Sequence, residues 1–260
     1  MLSRALRRTA LSFSLLSLVM LALTTVAPQP ASAQGVNVSA DLMSRYVWRG
    51  FDFGESFSIQ PDLSYSTGGF TVGTWASYSI AADGAAANEH DLYASYSFGY
   101  VSVGLTDFYF PSPVGANGNV AEGAEFFNYD GDGEGAHYLE PSLSFSGPEA
   151  FPISLFGSAV VHNAPNYPVY LEASYPFTVK GVDLSLSTGG VIVSPDDDDT
   201  PVEETDAFYG LPESAYTKAA LSASKSIQIT DSFDLPISAS FIVNPYTERT
   251  FLVFGVSLAP

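Results

Sequence analysis

The feature that most constrains this chain is an alternation of apolar and polar residues, with a period of two, that returns throughout residues 36–258. This period is typical of β-strands. Most of the alternating segments approach the roughly 9–11 residues that a tilted strand needs to cross a bilayer. The pattern therefore predicts an all-β fold: a single antiparallel up-and-down transmembrane β-barrel of about 12 strands. The segments run approximately over residues 36–48, 56–66, 70–80, 89–98, 100–110, 137–146, 152–162, 168–177, 183–193, 215–228, 233–243 and 250–258.

Two kinds of residue interrupt the alternation. Prolines fall inside or at the start of four segments, where a missing N–H predicts a bulge or a strand end. They are Pro61, Pro141, Pro176 and Pro236. The pair Gly189-Gly190 weakens the ninth segment, so ten strands is the fallback count.

The connections between segments alternate in length. If the N-terminus is periplasmic, odd-numbered connections are extracellular and even-numbered ones are periplasmic. The even-numbered connections are short, whereas the two longest stretches, residues 111–136 and 194–214, are odd-numbered, acidic and rich in Gly or Pro. This sorting predicts short periplasmic turns and longer extracellular loops.

Residues 1–33 have the organisation of a cleaved signal peptide. Arg4, Arg7 and Arg8 precede an apolar run at 11–26, and Ala31-Ser32-Ala33 has the small residues of a cleavage site. We therefore predict an exported protein with a signal peptide at 1–33 and a barrel domain at 34–260. The chain has no cysteine, so its fold needs no disulfide.

The chain is strongly acidic. Asp and Glu number 28 against nine Lys and Arg, and the formal net charge is −19. Such a balance argues against nucleic acid and anionic membrane surfaces as partners.

Two stretches carry a family resemblance. The first is Ser44-Arg45-Tyr46-Val47-Trp48-Arg49-Gly50, continuing through Ser56 and Gln60-Pro61 to Tyr65, and the second is residues 224–258. Together with their spacing they resemble the TorF-type porin family. The resemblance implies a β-barrel in the outer membrane of a Gram-negative bacterium, inserted by the barrel-assembly machinery, with a channel role and no known substrate.

The two arginines of the first segment are its most conspicuous polar residues. Arg45 and Arg49 are predicted to lie on one strand, facing the same way and roughly 13 Å apart. Both should face the lumen, because an arginine facing the middle of the bilayer is costly. One interpretation is a charge ladder that selects solutes, and the other is an ion-paired interior that holds strands in register. Their predicted lumenal partners are Asp62, Asp91, Glu140 and Glu172.

Aromatic residues fall near the ends of several segments. Trp48, Tyr78, Tyr109 and Phe110 are predicted to belong to an interfacial aromatic girdle. A track on which sugars stack is the alternative interpretation.

One loop has a spacing of carboxylates that suggests calcium. Asp130, Asp132 and Glu134 alternate with glycines, but the glutamate at the twelfth position of an EF-hand is missing. We interpret the loop as a solvated acidic segment that is only a weak candidate for binding a divalent cation, and predict no metal site.

The three histidines raise an enzymatic alternative. His90, His137 and His162 all fall near predicted extracellular strand ends, as a hydrolase active site at the barrel rim would require. No G-x-S-x-G nucleophile elbow is present and no histidine pair has the spacing of zinc ligands. We therefore predict that the protein is not an enzyme.

The predicted function is a porin-like outer-membrane channel for passive diffusion of small hydrophilic solutes, with a preference for cations. Twelve strands lie between the roughly eight that enclose only side chains and the 16–18 that leave an aqueous channel. The alternative is a non-conducting structural or surface-interaction barrel whose lumen is closed by ion pairs. Neither function needs a cofactor. The expected partners are outer-membrane lipid, the barrel-assembly machinery and small solutes or ions.

Overall fold

The computed structural model describes residues 34–53, 55–81, 88–111, 124–131, 135–164, 167–193 and 208–259. Within these ranges no helix is long and apolar enough to cross a membrane. The predicted signal peptide, residues 1–33, lies outside them. The strands are β1 (Gly35–Met43), β2 (Val47–Trp48), β3 (Phe51–Asp52), β4 (Ser58–Thr67), β5 (Phe70–Ser79), β6 (Glu89–Phe98), β7 (Val101–Tyr109), β8 (His137–Ser146), β9 (Ser154–Ala159), β10 (Val169–Val179), β11 (Val182–Ile192), β12 (Ala215–Thr230), β13 (Phe233–Asn244) and β14 (Arg249–Leu258).

Twelve of these strands close into one antiparallel barrel. From β4 to β14 each strand pairs with its neighbour in sequence, and β1 pairs with both β4 and β14 to close the ring. The short strands β2 and β3 pair only with each other. The predicted up-and-down barrel of 12 strands is confirmed, and the fallback count of ten is wrong.

The strand register sorts the side chains into two faces. Val103 lies opposite Tyr96 on β6 and Leu143 on β8, and these three are 44%, 48% and 57% exposed. The residues between them are small and polar, and the hydroxyl of Ser240 donates a hydrogen bond to Ser222 at 2.9 Å across β13 and β12. The barrel therefore has an apolar outer wall and a hydroxyl-rich inner face.

Connection lengths distinguish the two ends of the barrel. At one end, here called the turn end, residues 68–69, 99–100, 180–181 and 231–232 each form a two-residue turn, and residues 147–153 form a slightly longer one. Gly68, Gly69, Gly99 and Gly181 have positive φ at this end. At the opposite end, the loop end, the connections span 44–57, 80–88, 110–136, 160–168, 193–214 and 245–248.

The interruptions fall partly where the sequence placed them. A register shift occurs between Gly189 and Gly190, and β11 continues through it. Pro61 coincides with a gap in the register between β4 and β5. The strands continue through Pro141, Pro176 and Pro236, each of which keeps a partner in register on one neighbouring strand, so the strand ends predicted there are wrong. On the other side the β8–β9 pairing stops at Ser142 and the β13–β14 pairing stops at Ile237, directly beside Pro141 and Pro236, which cannot donate to the ladder.

The first segment differs most from the prediction. β1 ends at Met43, not near residue 48, and Ser44 is the last residue bonded to β14, through Phe254. The chain then leaves the wall and forms the β2–β3 hairpin. Alternation continues through both β1 and the hairpin, which is why the sequence pattern did not separate them.

Candidate functional site

The first loop-end connection folds into a tight hairpin, and we call residues 44–53 the lumenal hairpin. Val47 pairs with Asp52, Trp48 pairs with Phe51, and the amide of Phe53 donates to the carbonyl of Tyr46 at 2.9 Å. Arg49 and Gly50 form the turn, with φ of 52° and 92°. Positive φ at both central residues is the backbone of a two-residue type I′ turn, and glycine accommodates it without steric cost.

The hairpin tip docks on the inner face of β12 and β13. A Cβ at Gly50 would lie 1.9 Å from the carbonyl oxygen of Thr217. The side chain of Asn244 donates to the carbonyl of Gly50 at 3.1 Å. Thr217 and Asn244 are completely buried. The tip therefore fits the wall closely enough to exclude any side chain at position 50.

Arg49 crosses the lumen to the opposite wall. Its Nη1 and Nη2 donate to Glu140 Oε2 and Oε1 on β8, at 2.6 and 2.7 Å, and Nη1 also donates to the hydroxyl of Tyr209. The guanidinium lies 4.1 Å from the ring centroid of Trp48 and 4.4 Å from that of Tyr170. Arg49 is 8% exposed and Glu140 is 2% exposed. A bidentate pair between aromatic faces fixes orientation as well as charge.

Burial and pairing also shift the pKa values of Arg49 in the hairpin and of its partner Tyr209. Burial opposes the charge of Arg49, but its hydrogen bonds with Glu140 and Tyr209 more than offset this and raise the pKa of the guanidinium. Burial raises the pKa of Tyr209 well above its ordinary value, although Arg49 opposes this shift. Arg49 therefore stays charged in its pocket, and Tyr209 stays neutral.

Aromatic rings fill the space around the arginine. Trp48 stacks on Tyr209 with centroids 5.6 Å apart and planes 8° apart, and meets Phe108 edge-on at 5.5 Å. On the other side of the hairpin, Tyr46 lies 5.4 Å from Trp75. Such ring pairs each contribute about 0.5–1.5 kcal/mol beyond the area they bury.

The lumenal hairpin contacts the inner side of the barrel over ten consecutive strands, β5 to β14. Its direct partners are, in strand order, Trp75, Glu89, Phe108, Glu140, Phe156, Tyr170, Thr217 and Asn244. On β11 and β14 it packs on the apolar clusters that contain Val191 and Phe251. The other two strands, β1 and β4, are those that the first connection joins. The hairpin thus lies across the lumen at its own level.

A second acidic group lies against the hairpin. Glu89 and Asp91 on β6 are 3% and 7% exposed, and the hydroxyl of Tyr46 donates to Glu89. Burial is the main cause that raises the pKa of Tyr46 well above its ordinary value, so the phenol remains a donor.

The remaining predicted lumenal acids have partners on the wall. Tyr93 donates to Asp62 Oδ2 at 2.7 Å. Lys218 donates to Glu172 Oε2 at 2.8 Å, and Tyr170 also donates to Glu172. Of the four predicted acids, the structure therefore brings only Glu140 onto an arginine.

Toward the turn end the inner face changes in character. Small hydroxyl side chains replace the aromatic rings there, with Ser97 and Ser102 2.8 Å apart and Ser66 and Thr71 2.9 Å apart. The inner positions of this half, read from the register, include Ser95, Ser142, Ser144, Ser174, Ser185, Ser187, Ser222, Ser224 and Ser238. The lumen is thus filled with rings at the hairpin and lined with small polar groups below it.

The expected placement of two residues is wrong. Arg45 does not share a strand with Arg49, because the chain has left β1; it pairs with Asp52 within the hairpin and stays about one-third exposed, at 32%. Trp48 does not belong to a girdle on the outer wall, because the hairpin carries its ring into the lumen against Tyr209.

The other girdle residues occupy different surroundings. Tyr78 is on the outer wall and 41% exposed. Tyr109 is on the same face but only 8% exposed, because residues 124–131 cover it and its hydroxyl donates to the carbonyl of Ala124. Phe110 packs instead against Tyr138 and Phe208, at 5.9 and 6.4 Å.

The histidines are spread over the loop end. His137 is fully buried between Tyr109 and Tyr129, with Nδ1 2.8 Å from Asp107 and Nε2 2.7 Å from the carbonyl of Phe126. Both partners are hydrogen-bond acceptors. Burial, with the hydrogen bond to Asp107, raises the pKa of Tyr129 to about 12. The group fastens residues 124–131 to the outer wall, whereas His90 lies beside Tyr78 and His162 beside Gly131.

The weak calcium loop is only partly described. Asp130 lies within the described residues, and Asp132 and Glu134 lie outside them. In the described ranges no group of three or more His, Asp or Glu side chains is arranged to hold a metal ion.

Several residues of the site were missed from the sequence. Tyr46 belongs to the hairpin, and Glu89, Tyr170, Tyr209 and Asn244 contact it, whereas Lys218 pairs with Glu172 on the wall. One local signal was available: Arg49-Gly50, between alternating apolar residues, has the glycine that a two-residue hairpin turn favours. The partners themselves are distant in sequence and leave no such signal.

Comparison with known proteins gives a family but no characterised relative. Among curated proteins none matches this chain. Residues 27–189, which include the lumenal hairpin and β1 to most of β11, match a bacterial protein family of unknown function, Gcw_chp. The match covers more than half of the sequence, and the chain belongs to this family.

Proposed function

We propose that this protein is an outer-membrane channel for small hydrophilic solutes that its own lumenal hairpin closes at rest. The observation that carries the proposal is the hairpin itself, which packs on the inner side of β5 to β14, directly or through apolar clusters, and buries Arg49 against Glu140. The identification as a TorF-type porin, predicted from the aromatic-Arg-Gly motif, is part of this proposal.

The outer wall supports a membrane location. Large apolar side chains in register stay exposed around the barrel, among them Leu63, Leu105, Leu143, Leu171, Leu186, Leu221, Phe241 and Leu252. A water-soluble protein rarely exposes so much contiguous apolar surface, whereas a barrel in lipid requires it. In this arrangement the turn end faces the periplasm and the loop end faces the exterior.

The inner face supports passage of solutes once the hairpin moves. Serines, threonines and glycines line the turn half, and such side chains leave space for water. Acidic side chains on the described inner face, among them Asp62, Glu89, Asp91, Glu140 and Glu172, outnumber basic ones such as Arg49 and Lys218. Their field favours cations over anions.

The second candidate is a permanently closed structural barrel. The buried Arg49–Glu140 pair favours it, because moving the hairpin would separate two charges that have lost their water. The two candidates share the same resting structure and differ in whether the hairpin ever leaves it.

Conductance in a planar bilayer under a salt gradient separates the two. We expect the refolded wild-type barrel to be closed most of the time, with brief openings. A variant in which residues 45–53 are replaced by a Gly/Ser linker should give lasting unitary steps and a cation-selective reversal potential. Silence from both proteins, with heat-modifiable mobility showing that they are folded, would favour the structural barrel. A wild type that is continuously open would contradict closure by the hairpin.

A further inference from the structure

Two acids on the inner face of β6 form no ion pair with a cation in the part of the chain that the structure describes. Glu89 and Asp91 are two residues apart on one strand and therefore point the same way. They are 3% and 7% exposed and lie within hydrogen-bonding reach of one another. Asp91 Oδ1 is buried, and no donor among the described residues reaches it.

The surroundings of this pair are aromatic. In register, Asp91 lies opposite Trp75 on β5 and Phe108 on β7, and Tyr46 of the hairpin donates its hydroxyl to Glu89. Among these rings and the hairpin the two carboxyl groups are almost completely buried. In such a medium, two adjacent negative charges repel each other far more strongly than in water.

The charged groups that face the pair do not neutralise it. Arg49 is the cation in range, but Glu140 engages both ends of its guanidinium. Glu140 adds negative charge from the inner face of β8, and Asp107 adds it from the outer face of β7, where it contacts His137. Asp62, two strands away on β4, is itself acidic and bonded to Tyr93. Unless a positive charge is bound, the buried pair carries an uncompensated charge of a kind that proteins avoid.

We propose that Glu89 and Asp91 form a proton-binding site, in which one proton is shared between the two carboxyl groups and keeps the lumenal hairpin seated. A hydrogen bond between two carboxyl groups requires a proton on one of them. The site behaves as one unit, as carboxylate dyads do when like charges lie in contact.

Loss of the proton is transmitted directly to the hairpin. When the proton leaves to solvent water, both carboxylates are charged and need water. Tyr46, bonded to Glu89, is part of the packing that buries the pair. Hydrating the pair therefore displaces Tyr46 and loosens the hairpin, so closure weakens as the pH rises. This inference rests on the proposed closure of the lumen, and not on passage of any solute.

Infrared spectroscopy of the refolded full-length barrel tests the site. At neutral pH the wild type should show the C=O stretching band of a protonated carboxylic acid. The band should be absent from Asp91→Asn and from Glu89→Gln, because each amide donates a hydrogen bond without titrating. Asp62→Asn, a matched change on the same inner face, should keep the band.

Acrylamide quenching of Trp48 tests the coupling. Trp75→Phe leaves Trp48 as the single tryptophan, since the chain has two. In this background quenching should increase several-fold as rising pH removes the infrared band, and should not change with pH when Asp91→Asn is added. A wild type without the band, or one whose band survives in both Asp91→Asn and Glu89→Gln, would overturn the site. A band that titrates while Trp48 stays protected would overturn the coupling. Neither readout uses conductance, so a failure of the channel proposal remains separate.

Discussion

Replacing Gly50 with alanine is expected to open the lumen of the barrel while its twelve strands stay folded. The new Cβ would lie 1.9 Å from the carbonyl oxygen of Thr217, which belongs to the backbone of the wall and cannot rotate away. Gly50 also has φ of 92°, a region that costs a residue with a side chain about 1–3 kcal/mol. The tip therefore cannot dock, and the bonds of Arg49 and Asn244 to their partners are lost with it.

Conductance provides the measurement for Gly50→Ala. We expect lasting open steps in place of the mostly closed wild type, with unchanged heat-modifiable mobility. Gly68→Ala is the matched control: Gly68 also has positive φ, 57°, but a Cβ there meets nothing within 4 Å. It should lower stability slightly and leave the lumen closed. A closed Gly50→Ala barrel would show that the tip is not held as described.

Replacing Arg49 with methionine is the second change with a large expected effect. It leaves Glu140 buried without a cation, and removing one partner of a buried pair costs roughly 3–5 kcal/mol. If the hairpin leaves the lumen, water reaches Glu140. The cost of burying its unpaired charge is then removed, so the variant favours the displaced hairpin. We expect open-channel conductance and faster quenching of Trp48.

Two further variants show whether charge or packing is responsible. Arg45→Met breaks the part-exposed pair with Asp52 and should change little, because such pairs contribute about 0–1 kcal/mol. Combining Arg49→Met with Glu140→Leu removes both charges and should restore closure at least in part, since apolar replacements of buried pairs are often tolerated. If Arg49→Met stayed as closed as Arg45→Met, closure by the hairpin would depend on ring packing alone.

The barrel could be predicted from the sequence because its rule is local. Alternation with period two fixes which side chains face outward, as for Val103 and Leu105, and the lengths of the connections fix the order of the strands. The pair Gly189-Gly190 likewise predicts a weak point in the strand, and the register of β11 shifts there. None of these features depends on residues far away in the chain.

The site could not be predicted in the same way. A strand that continues along the wall and a strand that turns into the lumen show the same alternation through Tyr46 and Trp48. What distinguishes them is the partners of the hairpin: Glu140 is 91 residues beyond Arg49, Tyr209 is 160 residues beyond it, and Asn244 is 194 residues beyond Gly50. The alternation therefore predicts Arg49 on a strand of the wall, although its partner Glu140 is among the predicted lumenal acids.

The hairpin also changes what the acidic lumen implies. An open pore lined by carboxylates would select cations along its length. Here Glu140 holds the hairpin through Arg49, and Glu89 holds it through Tyr46. The same side chains that would select an ion in the open state thus maintain the closed one.

The most direct measurement for the central claim is the rate at which a thiol reagent labels single cysteines in the folded barrel. The chain has no cysteine, so each variant carries one thiol. Val47→Cys places the thiol on the hairpin, because Val47 packs on the cluster of Ala220, Ile242, Phe251 and Val253. Glu55→Cys places it in the same connection but outside the hairpin, at a position where the native side chain is 70% exposed. Closure by the hairpin predicts labelling of position 47 roughly tenfold or more slower than of position 55, with the difference lost in Gly50→Ala. Equal rates in the folded wild-type background would show that the hairpin does not reside in the lumen.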